Sequence, residues 1–272
     1  MIDLHCHILH GLDDGPATLD ESLAIARRAA ADGIIAMVAT PHVCNGVYCG
    51  SVAVIAQKVE TLNAELGKAG IHLTIYPGAE VRLVPGLTNL LRKGEACTIN
   101  NSRYVLIELP PTFLLETVKE EFFGLRVSGY IPILAHPERH PRVKNDLGCL
   151  VELVQMGTLC QLTAQSLTGE FGKTVQAAAE KMVENGMAHI LATDSHSSKW
   201  RKPVLSKAVN RAAGLLGSRE EALQMVSGLP QAILADREFA VKIPGMRKEH
   251  IPANRERPTR RSFFGSMFSA AD

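Results

Sequence analysis

Short apolar runs alternate along the chain with segments whose apolar residues recur at helical spacing. The runs predict seven strands, over residues 2–8, 34–40, 72–76, 104–109, 131–135, 159–163 and 189–193. The segments between and after them predict helices over residues 19–31, 51–68, 112–127, 173–185 and within 203–235. Strands and helices in alternation predict an α/β fold with a parallel sheet, either closed as a barrel or open and doubly wound.

The first predicted strand begins two residues from the start and carries two histidines. Side chains alternate across a strand, so one face should hold Asp3, His5 and His7, and the other Ile2, Leu4, Cys6 and Ile8. A rise of about 3.3 Å per residue puts the two histidines about 7 Å apart. A single His-x-His pair is weak evidence for a metal site, and the rest of the chain has to support it.

Metal-ligand residues recur at or just after the ends of most predicted strands. These residues are His5, His7, His42, Glu80, Glu108, His136, Asp194 and His196. The carboxyl ends of the strands in a β/α barrel meet at one mouth, so these side chains should converge there. Imidazoles and carboxylates without a cysteine pair suit Zn, Mn or Fe(II), and the set is too large for one ion. The loop Asp13-Asp14-Gly15-Pro16 adds a further carboxylate.

Composition narrows the class of protein. Lys plus Arg number 29 against 28 for Asp plus Glu among 272 residues, which argues against a nucleic-acid partner. No apolar run approaches the ~20 residues of a transmembrane helix, and the first residues are unlike a signal peptide. The six cysteines form no Cys-x-x-Cys pair, which is typical of reduced thiols. We therefore expect a cytoplasmic protein.

Residues 1–240 contain an ordered series of motifs that resembles a known family. The motifs are His5-Cys6-His7-Ile8-Leu9, Asp13-Asp14-Gly15, Ala39-Thr40-Pro41-His42, Asn45-Gly46-Val47-Tyr48, Gly78-Ala79-Glu80, Ala135-His136-Pro137-Glu138-Arg139, Gln161-Leu162-Thr163-Ala164-Gln165-Ser166-Leu167-Thr168-Gly169 and Thr193-Asp194-Ser195-His196. They resemble the bacterial PHP-type (polymerase and histidinol phosphatase) protein tyrosine phosphatases of capsule and exopolysaccharide gene clusters. The resemblance implies a distorted seven-stranded β/α barrel with up to three divalent ions, usually manganese, with Fe, Zn, Co or Mg as alternatives.

The resemblance also implies roles for individual residues. One metal would bind His5, His7, Glu80 and Asp194; a second Glu80, Glu108 and His136; and a third Asp14, His42 and His196. Arg139 and Arg201 match the arginines with which the family holds phosphate. Val43 is a departure, because relatives often carry a second histidine there. The implied domain covers residues 1–246, followed by a tail over residues 247–272.

The implied activity is hydrolysis of phosphotyrosine on a bacterial tyrosine autokinase that regulates capsule or exopolysaccharide synthesis, by attack of a metal-activated hydroxide. One alternative is a phosphomonoesterase of the same superfamily with a small substrate such as histidinol phosphate. An alternative of another class is a non-catalytic metal-binding scaffold. The general acid and the oligomeric state stay open.

Four further features have competing interpretations. Cys97 and Arg103 have the Cys-x₅-Arg spacing of thiolate phosphatases, but the loop has no glycine and a predicted strand follows it, so we expect a chance match. Trp200 could stack on a phosphotyrosine ring or pack its loop, and Tyr48 could line the entrance or belong to a surface loop. The tail, basic and then aromatic, could be a solvated end or contact an anionic membrane or a partner.

Overall fold

The computed structural model describes residues 1–44, 46–48 and 50–239. Its strands pair only in parallel, in a three-stranded sheet of order β1-β2-β4 and a six-stranded sheet of order β3-β5-β6-β7-β8-β9. The strands are β1 (Ile2–Cys6), β2 (Ala36–Ala39), β3 (His42–Val43), β4 (Thr74–Pro77), β5 (Glu80–Arg82), β6 (Tyr104–Glu108), β7 (Ile131–Ala135), β8 (Leu159–Thr163) and β9 (Ile190–Ala192). The predicted α/β class with parallel strands is confirmed.

Helices connect most of these strands. They are α1 (Leu19–Ala31), α2 (Val52–Lys68), α3 (Leu87–Arg92), α4 (Leu115–Val127), α5 (Pro141–Asn145), α6 (Gly148–Gln155), α7 (Ala164–Leu167), α8 (Lys173–Glu184), α9 (Ser206–Leu216), α10 (Arg219–Gln224) and α11 (Gly228–Leu234). The predictions for α1, α2, α4 and α8 agree to within three residues at each end, and α9 to α11 lie inside the predicted 203–235 segment. The short helices α3, α5, α6 and α7 were not predicted.

Local sequence explains why α1 begins where it does. The Thr18 hydroxyl accepts a hydrogen bond from the Glu21 backbone N–H, and the Glu21 carboxylate accepts one from the Thr18 backbone N–H. This capping box satisfies two backbone groups that would otherwise lack partners at the helix start. The cap also marks the end of the loop that carries Asp13 and Asp14.

Two very short strands were missed by the sequence prediction, and both begin with a candidate ligand. In the β3–β5 pair, His42 lies opposite Glu80. The pair is extended by a hydrogen bond from the Glu80 N–H to the Pro41 carbonyl, 3.1 Å. Strands of two and three residues are too short to show a period, so no sequence pattern marks them.

The end of β1 lies beside the segment that follows β9. The Asp194 N–H donates to the His5 carbonyl and the His7 N–H donates to the Ser195 carbonyl, each at 2.8 Å. Cys6 and Ser195 form an isolated parallel bridge. The two sheets are thus linked at this edge, and residues far apart in sequence share one site.

The apolar core has two parts, and β1 contributes to both. Ile2 and Leu4 pack with Val38 and other strand residues in a smaller cluster, whereas Cys6 and Ile8 belong to the larger cluster, which includes most buried helix residues. The prediction that these four β1 residues share one face is therefore wrong. The pairing of β1 with β2 shifts register between Asp3 and Cys6, which breaks the simple alternation.

No helix in the described part of the chain is both long and apolar enough to cross a membrane. The tail over residues 247–272, for which a solvated end and a membrane or partner contact are both left open, lies outside the described residues, as does Asn45.

Candidate metal centre

The nine predicted metal ligands come together in one place, although they lie at different points of the strands and of the loops between them. They are His5 in β1, His7 just after it, Asp14 in the following loop, His42 and Glu80 at the starts of β3 and β5, Glu108 at the end of β6, His136 after β7, and Asp194 and His196 after β9. Their ligand atoms form four overlapping groups in which all atoms lie within 4.8 Å of one another. The sequence prediction that these residues converge is confirmed.

His5 and His7 meet two buried carboxylates at the middle of the centre. Their Nε2 atoms lie 3.2 Å apart. Glu80 Oε2 is 3.3 Å from His5 Nε2 and 3.4 Å from His7 Nε2, and Asp194 Oδ1 is 3.4 and 3.5 Å from the same two atoms. All four side chains are at most 1% exposed. Two nitrogens and two oxygens thus face one another in a space shielded from solvent.

Glu80 also faces two further ligands. Its Oε1 is 2.7 Å from His136 Nε2, and its Oε2 is 3.1 Å from His42 Nδ1. Glu108 forms a group with His42 and Glu80, and its carboxylate pairs with Arg82 at 2.8 Å. Because its two oxygens point to different histidines, Glu80 has the geometry of a bridging carboxylate.

A third group lies toward solvent. Asp14 Oδ1 is 3.2 Å from His196 Nε2, 3.6 Å from His42 Nε2 and 3.9 Å from His7 Nδ1. The Asp14 side chain is 45% exposed, whereas the His196 side chain is 1% exposed. This group therefore forms the outer rim of the centre.

Buried polar atoms show that the centre suits a cation. Glu80 Oε2, Asp194 Oδ1 and His42 Nδ1 are buried and have no hydrogen-bond partner among the described residues. Leaving such atoms unpaired costs about 1–3 kcal/mol each. Metal ions would satisfy all three atoms, so the donor set fits divalent metals bound by imidazole and carboxylate.

Outer contacts orient the imidazoles for this role. The Nδ1 atoms of His5, His7 and His196 lie 2.9, 2.6 and 3.0 Å from Gln161 Oε1, Asp13 Oδ2 and the Asp194 carbonyl. Each partner atom is a hydrogen-bond acceptor, so Nδ1 carries a proton, and in the neutral ring that would bind metal the Nε2 lone pair faces the centre. Such partners fix the tautomer of a metal-binding histidine.

Nearby charges and hydrogen bonds outweigh the effect of burial on the ionisable groups of the centre. Burial favours the neutral form of Glu80, but His5 and His136 outweigh it and hold the pKa of Glu80 well below its usual range. The pKa of Asp194 is also held well below its usual range, because His5 and nearby donors outweigh burial. Burial opposes protonation of His7, but its hydrogen bond to Asp13 raises the pKa of His7 well above its usual value. Glu80 and Asp194 are therefore ionised at neutral pH.

The backbone at two ligands is strained. His136 has φ of 32° and Asp194 has φ of 51°. Positive φ is uncommon for residues other than glycine, and the strain must be offset by surrounding contacts. His136 follows directly on β7 and Asp194 lies two residues after β9, and the turn of the chain at each brings the side chain into the centre at the cost of backbone strain.

The two predicted phosphate-binding arginines meet at one ligand. Arg139 Nη1 and Arg201 Nη2 both contact Asp194 Oδ2. Arg201 Nη1 also lies 3.0 Å from His196 Nε2, and the Arg139 guanidinium lies over the Phe171 ring at 5.1 Å. Two planar cationic groups at the edge of the centre can donate paired hydrogen bonds to an anion.

Cys97 lies away from this chemistry. Burial raises the pKa of its thiol to about 12, and the strand β6 begins at Tyr104, directly after Arg103. A thiol of that pKa is a poor nucleophile, and the residues after it form a single 3₁₀ turn, Ile99–Asn101, rather than an α-helix whose start could bind an anion. The expected chance match of the Cys-x₅-Arg spacing agrees with this environment.

Four residues with contacts at the centre were not given these roles by sequence reasoning. They are Asp13, Arg82, Gln161 and Phe171. Asp13 pairs with the His7 ring and also accepts from the His42 N–H at 3.0 Å. Gln161 is a polar residue in the middle of a buried strand, which is a signal that could have identified it.

Comparison with known proteins identifies the family of this chain. The model of the family "Capsular polysaccharide synthesis, CpsB/CapC" matches residues 1–235. The chain belongs to this CpsB/CapC family. Tyrosine-protein phosphatase YwqE of Bacillus subtilis is 38% identical over 201 residues, which cover 74% of this chain and 79% of YwqE. Tyrosine-protein phosphatase CpsB of Streptococcus agalactiae is 28% identical over 239 residues, which cover 86% of this chain and 98% of CpsB.

Solved structures give the fold of the CpsB/CapC family. One solved structure aligns with a TM-score of 0.86 and 34% identity, over 90% of this chain and 98% of that chain. It belongs to a set of crystal structures of YwqE from Bacillus subtilis and CpsB from Streptococcus pneumoniae, which are described as metal-dependent tyrosine phosphatases. Histidinol phosphate phosphatase of Lactococcus lactis aligns with a TM-score of 0.51 and 12% identity, over 79% of this chain and 92% of that chain. At that identity, the likeness extends to the fold alone.

Proposed function

We propose that this chain is a metal-dependent protein-tyrosine phosphatase that acts on a bacterial tyrosine autokinase of capsule or exopolysaccharide synthesis. The observation that carries the proposal is the contact of both Arg139 and Arg201 with Asp194, a ligand-type carboxylate inside a histidine-rich centre. The two guanidinium groups, which can hold a phosphate, lie beside side chains that can hold metal ions. Hydrolysis of a phosphate ester requires both. Membership of the CpsB/CapC family and the names of its relatives support the choice of phosphotyrosine.

The centre would hold up to three divalent ions, with manganese as the expected metal. His5, His7, Glu80 and Asp194 would bind one; Glu80, Glu108 and His136 a second; and Asp14, His42 and His196 a third. Once bound, such ions neutralise the phosphoryl oxygens and lower the pKa of a coordinated water. The absence of cysteine from the set and the mixture of nitrogen and oxygen atoms favour Mn, Fe, Zn, Co or Mg over a structural zinc site.

The arginines would bind and orient the phosphoryl group. Each guanidinium presents a planar fork that matches phosphate oxygens, and both are anchored at the edge of the centre. Arg139 is further restrained by Phe171, whose ring lies beneath it. The phenolate leaving group has a pKa of ~10, so it needs less help from a general acid than an alkoxide does.

We also propose that the two sheets are parts of one distorted seven-stranded barrel. In this interpretation β2 with β3, and β4 with β5, each count as one interrupted strand, and the contact between the end of β1 and residue 195 closes the barrel. The domain would cover residues 1–246 and the tail residues 247–272, in a cytoplasmic protein.

Hydrolysis by metal-stripped protein tests the proposal. A phosphotyrosine peptide and histidinol phosphate are supplied with and without manganese to the wild type, His136→Ala and Cys97→Ser. We expect turnover of the peptide that requires manganese, is lost in His136→Ala, and persists in Cys97→Ser, because Cys97 is buried in the apolar core and belongs to none of the four ligand groups.

Each other outcome has a distinct meaning. Preference for histidinol phosphate would keep the chemistry and replace the substrate. Activity that needs Cys97 and ignores metal would overturn the mechanism. Metal binding without turnover of either ester would favour the scaffold alternative.

A further inference from the structure

Trp200 is an exposed aromatic side chain at the edge of the metal centre. It is the single tryptophan of the chain and is 62% exposed. Its neighbour Arg201 contacts Asp194, and its indole ring lies 6.2 Å from the His196 ring, centroid to centroid. Tryptophan is enriched at interfaces, because its ring is apolar at one end and carries a polar N–H at the other.

Backbone contacts, rather than the indole, hold the Trp200 loop in place. The Arg201 carbonyl accepts hydrogen bonds from the His196 N–H, the Ser197 N–H and the Ser195 hydroxyl, at 3.1, 3.2 and 2.8 Å. The Trp200 carbonyl accepts one from the Gln165 side-chain amide at 3.3 Å. Hydrogen bonds to the carbonyls of residues 200 and 201 thus hold the loop, and the indole stays exposed. Packing of the loop therefore does not explain the tryptophan.

A second aromatic ring lies on the same side of the centre. Tyr48 stacks on His42 with ring centroids 6.0 Å apart and an angle of 7° between the planes. The His42 and His196 rings are themselves 6.5 Å apart. Tyr48 and Trp200 therefore flank the rim formed by these two histidines and Asp14.

We infer that Trp200 is a specificity-determining residue that receives the aryl ring of the substrate. This inference rests on the proposed function. Because Trp200 is adjacent to Arg201 and exposed, its ring lies within reach of an aryl group on a phosphate that Arg201 would hold. Aromatic pairs in offset or edge-to-face contact contribute about 0.5–1.5 kcal/mol beyond burial. An alkyl phosphate would gain no such contact, so Trp200 would select aryl over alkyl esters.

Fluorescence of the single tryptophan gives a direct test that needs no turnover. Metal-loaded protein at a fixed metal concentration is titrated with inorganic phosphate, methylphosphonate and phenylphosphonate. We expect a saturable change in emission with phenylphosphonate and little change with the other two, although all three compete for the centre. Equal changes with all three, or none with any, would overturn the inference.

Calorimetric titration of variants tests the same point from the ligand side. Trp200→Leu should weaken phenylphosphonate binding about two- to twelve-fold and leave methylphosphonate binding unchanged. Trp200→Phe should restore most of the loss. Phe123→Leu is a matched control, because Phe123 is also 62% exposed but lies on α4.

The outcomes separate this inference from the proposed function. Equal weakening of both phosphonates in Trp200→Leu would mean that Trp200 only supports Arg201, and would overturn the inference. Manganese-dependent phosphatase activity together with unchanged phenylphosphonate binding would also refute the role of Trp200 and leave the function standing. Selective phenylphosphonate binding without hydrolysis would support the aryl site and refute the proposed activity.

Discussion

Gln161 should control how tightly the centre binds metal, although it is not a ligand. Its side chain is fully buried, and its Oε1 accepts a hydrogen bond from His5 Nδ1 at 2.9 Å. Gln161→Leu would leave the His5 Nδ1–H buried without a partner, at a cost of about 1–3 kcal/mol. At 1.4 kcal/mol for each tenfold change in affinity, this cost corresponds to a loss of metal affinity of about 5- to 150-fold. Losses of metal affinity of about 10- to 100-fold are typical when such outer partners of a ligand are removed.

Competition with a chromophoric chelator measures this affinity in wild type and variant. Thr158→Val is the matched control, because Thr158 is buried near the start of β8 and its hydroxyl has no partner among the described residues. We expect the control to bind metal as the wild type does. Unchanged affinity in Gln161→Leu, or an equal loss in Thr158→Val, would refute the argument. Urea denaturation of the metal-free proteins checks that both variants fold.

Three further predictions concern acid stability, the arginine clamp and the Asp14 loop. Burial lowers the pKa of His189 to about 4, so the unfolded chain binds a proton that the folded chain rejects, and this group should cost about 3 kcal/mol of stability as pH drops from about 6.5 to 4. Urea denaturation across this range should show the wild type losing about 3 kcal/mol more than His189→Asn, because other groups that titrate there, such as Asp3, are common to both proteins. Phe171→Leu removes the ring under Arg139 and should raise KM for a phosphotyrosine peptide about two- to five-fold in steady-state kinetics, with unchanged metal affinity. In Gly15→Ala the new Cβ would lie 2.4 Å from a backbone carbonyl oxygen, costing about 1–3 kcal/mol in a urea melt, whereas Gly67→Ala in the open face of α2 should stabilise.

The sequence predicted the ligands better than the strands that carry them. His136 and Asp194 could be found because they follow clear apolar runs, and the ends of parallel strands converge. The strands that begin at His42 and Glu80 could not, because two or three residues carry no period. The face of β1 was also mispredicted, since its alternation depends on a register shift against β2 that only the partner strand reveals.

Outer contacts were harder to predict than ligands. Asp13 and Asp14 are adjacent and chemically alike, yet Asp13 pairs with the His7 ring while Asp14 faces His196. Gln161 reaches His5 across 156 positions of sequence. Such partnerships depend on tertiary packing, for which a single sequence has no local signal.

The junction between the end of β1 and the segment after β9 has a consequence for biosynthesis. His5 and His7 leave the ribosome long before Asp194, so the proposed site on His5, His7, Glu80 and Asp194 cannot be completed until that later residue has also emerged. Contacts of such long sequence separation form late in folding. Nascent chains should therefore fill this site only after residue 194 has emerged, so the composition of the ion pool at that moment decides which metal the site first carries.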